Sequence, residues 1–284
     1  MHRRAFVLAL AAFGTSRWAR AADVLNGFEL RIGLTPVFLD DQAAFLNRWR
    51  IYLSERSGLR VSFVQRSSYR EIAEQISGQA LDVAWLCGYP YVMAQERLNV
   101  LAVPLHLGRP EYHSYLIVGA DDAATAGFED LAGKVFAFSD PNSFSGSLYP
   151  RFLLHRMGRS PEQFFRRSFF TWSHRKVVEA VASGLADGGA VAGYVWETLA
   201  RIHPEITVAT RVLARSPAYG FPPFVARAGL PREVAMALQQ VFFGMRADGE
   251  GARLLETLNL DGFVPGDFSM YQPIRDMVRM VEGR

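Results

Sequence analysis

Short apolar runs that alternate with stretches of helical spacing constrain this chain more than any other feature. Residues 29–34 form a strand-like run, after which Phe45, Leu46, Trp49 and Leu53 recur at helical intervals up to Gly58. A strand over Arg60–Val64, a helix carrying Ile72 and Ile76, and a buried strand over Asp82–Leu86 follow, and the runs Leu98–Val103 and Tyr112–Val118 complete the set. Such alternation predicts an α/β fold with a largely parallel sheet. A second set begins near Leu131. It has a strand over Lys134–Phe138, a helix with Val177, Val178, Val181 and Leu185, a turn at Asp187-Gly188-Gly189 and a strand over Gly189–Ala192. From Arg211 the chain turns back through Ser216–Val225 toward the first set, with helices over Pro231–Ala247 and Gly251–Leu258. The pattern alone is compatible with one large α/β domain or with two lobes.

Between the strand ending at Phe138 and the helical pattern of Phe152, Leu153, Arg156 and Met157 lies a hydroxyl-rich loop, Ser143-Phe144-Ser145-Gly146-Ser147. A helix start has backbone N–H groups without intrahelical acceptors and a partial positive charge, so it favours an oxyanion. Serine hydroxyls add donors, and glycine lets the backbone come close. An ordinary serine cap fits the same residues.

At the N-terminus, Arg3 and Arg4 precede an apolar run from Ala5 to Phe13, and Ala19-Arg20-Ala21 supplies a small-residue cleavage site. This predicts a secretory leader over residues 1–21, too short to span a bilayer, with twin-arginine spacing that leaves folded export open. Removing it takes away Arg3, Arg4, Arg17 and Arg20 and no acid, so 31 basic and 28 acidic residues become 27 and 28. A near-neutral chain carries no basic stripe for nucleic acid. With Cys87 as its one cysteine, the chain can form no internal disulfide, and its stability must come from hydrophobic cores.

The order D-P-x-S-x-S-G-x-x-x-P from Asp140 to Pro150, followed by Ser173-His174 at a helix entry, resembles the periplasmic phosphate/phosphite/phosphonate-binding proteins of ABC importers. Gly33-Leu34-Thr35-Pro36, the segment Asp82–Tyr91, Pro110–Val118 and Ser216–Arg227 resemble it too, in the same order. The resemblance implies two α/β lobes, 22–116 with 213–284 and 117–212, joined by crossover strands at Tyr112 and Arg211 around a ligand cleft that closes by hinge motion. It implies a periplasmic, monomeric protein without cofactor or metal, holding a small anionic ligand for a membrane ABC permease or, alternatively, for a sensor histidine kinase.

By the same resemblance, Ser143, Ser145 and the backbone of Ser145, Gly146 and Ser147 hold the anionic head, with a protonated His174 beside them. Phe144 stands where the family has a hydroxyl residue. Tyr91 and Tyr89 compete for the place of a ligand-contacting tyrosine, with a core role open to either. Tyr194 and Glu197 fall where relatives bind a ligand amine, but Gly193 stands where an aspartate is frequent, and Glu197 could instead face solvent. Cys87, at the C-terminal end of a predicted strand, is either a buried thiol or a soft ligand for an oxyanion such as arsenite. Paired with His174 it would also be the nucleophile of an enzyme, although no G-x-S-x-G or metal-ligand spacing accompanies it.

Overall fold

The computed structural model describes residues 27–35 and 43–283. The predicted leader, residues 22–26 and Pro36 lie outside the described residues. In chain order the strands are β1 (Glu29–Leu34), β2 (Arg60–Gln65), β3 (Val83–Trp85), β4 (Leu98–Leu105), β5 (Glu111–Tyr112), β6 (Ser114–Gly119) and β7 (Val135–Phe138). β8 (Arg167–Phe170), β9 (Gly188–Ala192), β10 (Thr210–Arg215), β11 (Tyr219–Gly220), β12 (Phe224–Arg227) and β13 (Gly262–Val264) follow. They form a six-stranded sheet in the order β13-β4-β12-β3-β1-β2 and a five-stranded sheet in the order β10-β6-β9-β7-β8. A two-stranded ribbon, β11-β5, lies on the crossover segments between them. The fold is α/β and two-lobed.

Neither sheet is as parallel as the alternation predicts. β2, β1 and β3 are parallel, as are β8, β7 and β9, but β12 enters the first sheet antiparallel to both β3 and β4. β6 likewise runs antiparallel to β9 and β10. The cause is topological: a strand that has just crossed from the other lobe arrives from the opposite end of the sheet. The single apolar run Tyr112–Val118 accordingly divides at His113, with Tyr112 in the ribbon and Ser114 opening β6.

The first sheet is covered by helix Ala43–Ser57, whose buried Phe45, Leu46, Trp49, Tyr52 and Leu53 follow helical spacing. Trp49, fully buried, meets Phe63 at 5.2 Å and Phe224 at 6.0 Å between ring centroids, which ties β2 and β12 to one helix. The helix stops where Gly58 takes a left-handed φ of 72°. The second sheet has its own aromatic cluster, in which Phe136 stacks on Phe165 at 4.4 Å. Leu185, predicted inside a helix, lies beyond the end of helix His174–Ala182 and is exposed.

At the edge of the first lobe's core, Asp82 joins three strands. It is 2% exposed; its carboxylate accepts the Arg31 N–H at 2.9 Å and the Arg227 guanidinium at 3.0 Å. Arg31 is half exposed, so the Arg227 contact carries most of the interaction. Replacing Asp82 with Ala leaves a largely buried guanidinium unpaired. We expect a loss of about 3 kcal/mol of unfolding free energy, read by urea denaturation.

Candidate ligand site between the lobes

The loop after β7 does not enter an α-helix directly. Residues Phe144–Leu148 form a π-helical turn, and the α-helix Tyr149–Arg156 continues it. Such turns present backbone and side chains at unusual angles and are frequent at functional sites. Ser143 caps the turn: its Oγ accepts the Gly146 N–H at 3.0 Å. The N–H expected to face an anion at Gly146 is therefore occupied, and Ser143 acts here as a cap. The Phe144 N–H is also taken, by the Cys87 Sγ at 3.2 Å.

Gly146 is where the chain needs no side chain. An added Cβ would lie 1.9 Å from Ser139 Oγ and 3.0 Å from His174 Cε1, while the Ser139 N–H donates to the Gly146 carbonyl at 3.1 Å. The cradle thus nests against the end of β7 and against His174.

A cavity of about 20 Å³, room for about one water-sized molecule, lies between the lobes. Tyr69, Trp85, Cys87, Phe221 and Pro222 line it from the first lobe's side, Ser145, His174, Ala192 and Tyr194 from the second, and Tyr112 from the ribbon. Of the sequence-predicted residues, Ser145, His174, Cys87 and Tyr194 come together here, with Ser143 and Gly146 directly behind. Phe144 is fully buried but packs away from the cavity, against Tyr219 at 4.6 Å and Tyr112 at 6.1 Å.

Three expected residues lie elsewhere. Tyr91 packs on Tyr271 at 4.9 Å and Phe268 at 6.1 Å, and the Tyr89 hydroxyl bonds to Glu282. Both belong to the short helix Gly88–Met93, which meets the C-terminal helix Gln272–Glu282. Glu197 neither lines the cavity nor stands free in solvent: it accepts from Tyr115 Oη and contacts His106 Nε2 at 2.8 Å. Gly193 explains the absence of an acid nearer the cavity, since a Cβ there would be 2.7 Å from the Tyr115 ring.

Sequence reasoning missed Tyr69, Trp85, Tyr112, Ala192, Phe221 and Pro222. For Tyr69 there was a signal. Ser68 caps the helix Tyr69–Ser77 and pairs with Glu71, the S-x-x-E pattern of a helix entry. Tyr112 and Phe221 lie inside motifs already noted, but the motifs do not say which aromatic ring turns inward.

The cavity is uncharged. Among the described residues no lysine or arginine lines it, and His174 is not protonated there. His174 is buried, and its Nδ1 accepts the Ala192 N–H at 3.1 Å, which fixes the proton on Nε2. Burial lowers its pKa from 6.5 to about 3. His174 is therefore a neutral Nε2–H donor, and that nitrogen lies 3.5 Å from Ser143 Oγ. Burial likewise raises the pKa of the Cys87 thiol, more than the Phe144 N–H bond lowers it, so Cys87 stays protonated. The start of helix Tyr69–Ser77 is already filled: the Asp140 carboxylate accepts the Tyr69 N–H at 3.1 Å. Burial raises the Asp140 pKa despite that bond.

Four buried hydroxyls cluster here: Tyr112 Oη and Ser145 Oγ at the cavity, and those of Ser139 and Ser147 in the surrounding loop. Tyr112 interacts with Ser145 and with the Cys87 thiol, while the Ser139 and Ser147 hydroxyls have no hydrogen-bond partner among the described residues. Hydroxyls rotate, so such a cluster can turn its donors toward an acceptor-rich guest. Outside the cavity an open cleft of about 1150 Å³ carries Arg66 and Arg70 on one lobe and Arg175 and Lys176 on the other. Trp172 holds a left-handed φ of 62° at its rim.

A two-lobed α/β protein with a small cavity between its lobes at the crossover has the fold of a periplasmic binding protein. The family model for periplasmic substrate-binding proteins of ABC phosphonate transporters matches residues 32–271, and the chain belongs to that family. The phosphate-import protein PhnD of Mycolicibacterium smegmatis is 30% identical over 159 residues, 52% of this chain and 48% of that one, about half the relative's length. PhnD1 of Prochlorococcus marinus is 22% identical over 265 residues, 88% of this chain and 89% of that one. Its structure in complex with methylphosphonate superposes with a TM-score of 0.80, over 90% of this chain and 99% of that one. The binding component of an ABC phosphonate transporter from Pseudomonas aeruginosa gives 0.81 at 23% identity, over 90% and 87%.

Two outcomes follow from this geometry. Gly146→Ala should displace Ser139 and His174 and abolish ligand binding in calorimetry, while the folded state survives by circular dichroism. His174 is held neutral in the fold and titrates near 6.5 once unfolded, so it stabilises the protein above about pH 6.5 and that stability is lost as pH falls toward about 3. His174→Asn keeps a side-chain acceptor for Ala192 without the titration; its melting temperature should fall less steeply than wild type over that window.

Proposed function

We propose that this protein captures a small tetrahedral phosphorus oxyanion of the phosphonate or phosphite type and delivers it to a membrane ABC permease. One observation carries the ligand class: the cavity's lining combines neutral donor side chains, Ser145, Tyr112 and His174, with the apolar Trp85, Phe221 and Pro222. A tetrahedral anion with oxygens on three vertices and hydrogen or methyl on the fourth matches both. A fourth oxygen would be stripped of water against the apolar side chains without a partner.

A relative named as a probable phosphite-binding protein, and its methylphosphonate complex, support this class, while the relative named for phosphate import points to the four-oxygen anion. An aminoalkyl substituent is disfavoured, because Gly193 and Tyr115 close the place for an acid and Glu197 is committed elsewhere. At the cleft mouth Arg66, Arg70, Arg175 and Lys176 outnumber Glu71 and Glu179, the latter paired with Arg175, and this excess of positive charge attracts the anion before closure removes it from water. No covalent step is needed. Cys87 remains a thiol, His174 Nδ1 is already engaged, and the pair lacks an activated nucleophile.

In this reading the chain is exported by a leader over residues 1–21 and acts as a monomer, with lobes 22–116 plus 213–284 and 117–212. The first boundary falls within β6 and the second within β10, the two strands that pair beside the crossover.

A thermal-shift screen of residues 22–284 against methylphosphonate, phosphite, phosphate, aminoethylphosphonate, sulfate and arsenite tests the ligand class. Methylphosphonate and phosphite should stabilise most, by about 2.7 kcal/mol at a hundredfold Kd. Cys87→Ser should keep that response within a few fold. Stabilisation by arsenite alone, lost in Cys87→Ser, would overturn it and favour the soft-ligand role of a sensory protein.

A further inference from the structure

Behind the cavity wall formed by Tyr194, a second set of polar groups joins the lobes. His106 follows β4 in the first lobe, and Glu197 lies on helix Gly193–Ile202 of the second. The His106 ring is 5.0 Å from the Tyr194 ring, and the residue is 6% exposed. Its Nδ1 lies 2.8 Å from the Asn259 carbonyl oxygen, and its Nε2 lies 2.8 Å from Glu197 Oε2. A carbonyl oxygen and a carboxylate oxygen both accept, so the ring satisfies both neighbours only when it carries two protons.

The other groups packed around it agree with a charged pair. Burial works against the Glu197 charge, but hydrogen bonds from His106 and Tyr115 outweigh it, and the Glu197 pKa lies below the usual value. Arg215 sits over the Tyr115 ring at 4.9 Å. On the turn beside His106, Arg109 bridges to its backbone, and the Asp261 carboxylate accepts the Gly108 N–H at 2.7 Å. From the helix Gly249–Leu258, backbone carbonyls receive the rest of the opposing face: Leu258 accepts from Tyr194 Oη and Glu256 from Arg201. Asn259 Nδ2 donates to Thr198 Oγ1 at 2.9 Å.

We propose that His106 and Glu197 form an interlobe clamp that holds Tyr194 in the cavity wall, and that ligand affinity depends on His106 being doubly protonated. Glu197 is then a positioning residue rather than a ligand contact. The clamp rests on the reading that the ligand is captured between closed lobes. Its sign follows from the geometry: only a ring with a proton on each nitrogen donates to both partners, so loss of one proton weakens the clamp and the affinity.

The test measures methylphosphonate and phosphite affinity by calorimetry at pH 5.5 and pH 8.0 for the wild type, His106→Gln and Glu197→Gln. His106→Gln keeps one donor and cannot titrate; Glu197→Gln keeps the shape and removes the charge. Comparing variants at each pH cancels the titration of the ligand and of His174. The wild type should lose at least about fivefold more affinity than either variant between the two pH values. Equal losses in all three overturn the clamp. Should neither probe bind the wild type, the proposed ligand class fails, and the clamp is judged on the ligand-free protein. The melting-temperature gap between wild type and either variant must then shrink from pH 5.5 to pH 8.0, and a constant gap overturns it. If one variant fails to fold, the other supplies the comparison.

Discussion

The close approach of the Gly146 backbone to Ser139 and His174 is the contact on which the site depends. It brings the end of β7, the π-helical turn and the start of helix His174–Ala182 to one point, and only a residue without a side chain allows it. From that nesting follow the Ser145 hydroxyl in the cavity, the Ser143 cap and the neutral donor at His174. An anion held there meets fixed dipoles instead of a counter-ion. Such dipoles lose little of their own hydration on binding, because they are already dry, and a neutral lining spares the closed empty state the cost of a buried charge.

The strand, turn and helix of the cradle were legible because they are written in contiguous residues, whereas the two lobes, the first of which draws strands from both ends of the chain, followed only from the family resemblance. A strand, a glycine- and serine-rich turn and a helix are adjacent in sequence from Val135 to Arg156. The aromatic walls were not, since Tyr69, Tyr112 and Phe221 reach one cavity from segments far apart. Tyr89 and Tyr91 carried the stronger local signal beside Cys87, but the helix they belong to packs on the C-terminal helix and takes them with it. The charge of His174 was hidden for another reason. It is set by burial of the ring, while the Ala192 N–H, eighteen positions on, fixes the tautomer, and no local side-chain pattern records either.

Acidic groups in this protein repeatedly stand in for what a ligand could have occupied. Asp140 reaches across the cleft to the start of helix Tyr69–Ser77, and Glu197 turns from the cavity to His106 and Tyr115. Each assignment narrows the guest. With one helix start filled and no acid at Gly193, the cavity is left with neutral donors and rings.

The place of β12 in the first sheet has a consequence for how the chain reaches this state. It lies between β4 and β3, in the interior of the sheet, yet it is contributed by residues 224–227, after the whole of the second sheet has been made. During synthesis the N-terminal half is therefore two strand groups with an open seam, and its core closes only when a distant segment returns to fill it. Pairing over such separations is slow and leaves strand edges exposed meanwhile. A polypeptide of this topology keeps its first sheet unfinished until residues 224–227 have emerged, so the order of synthesis and the order of the sheet are opposed.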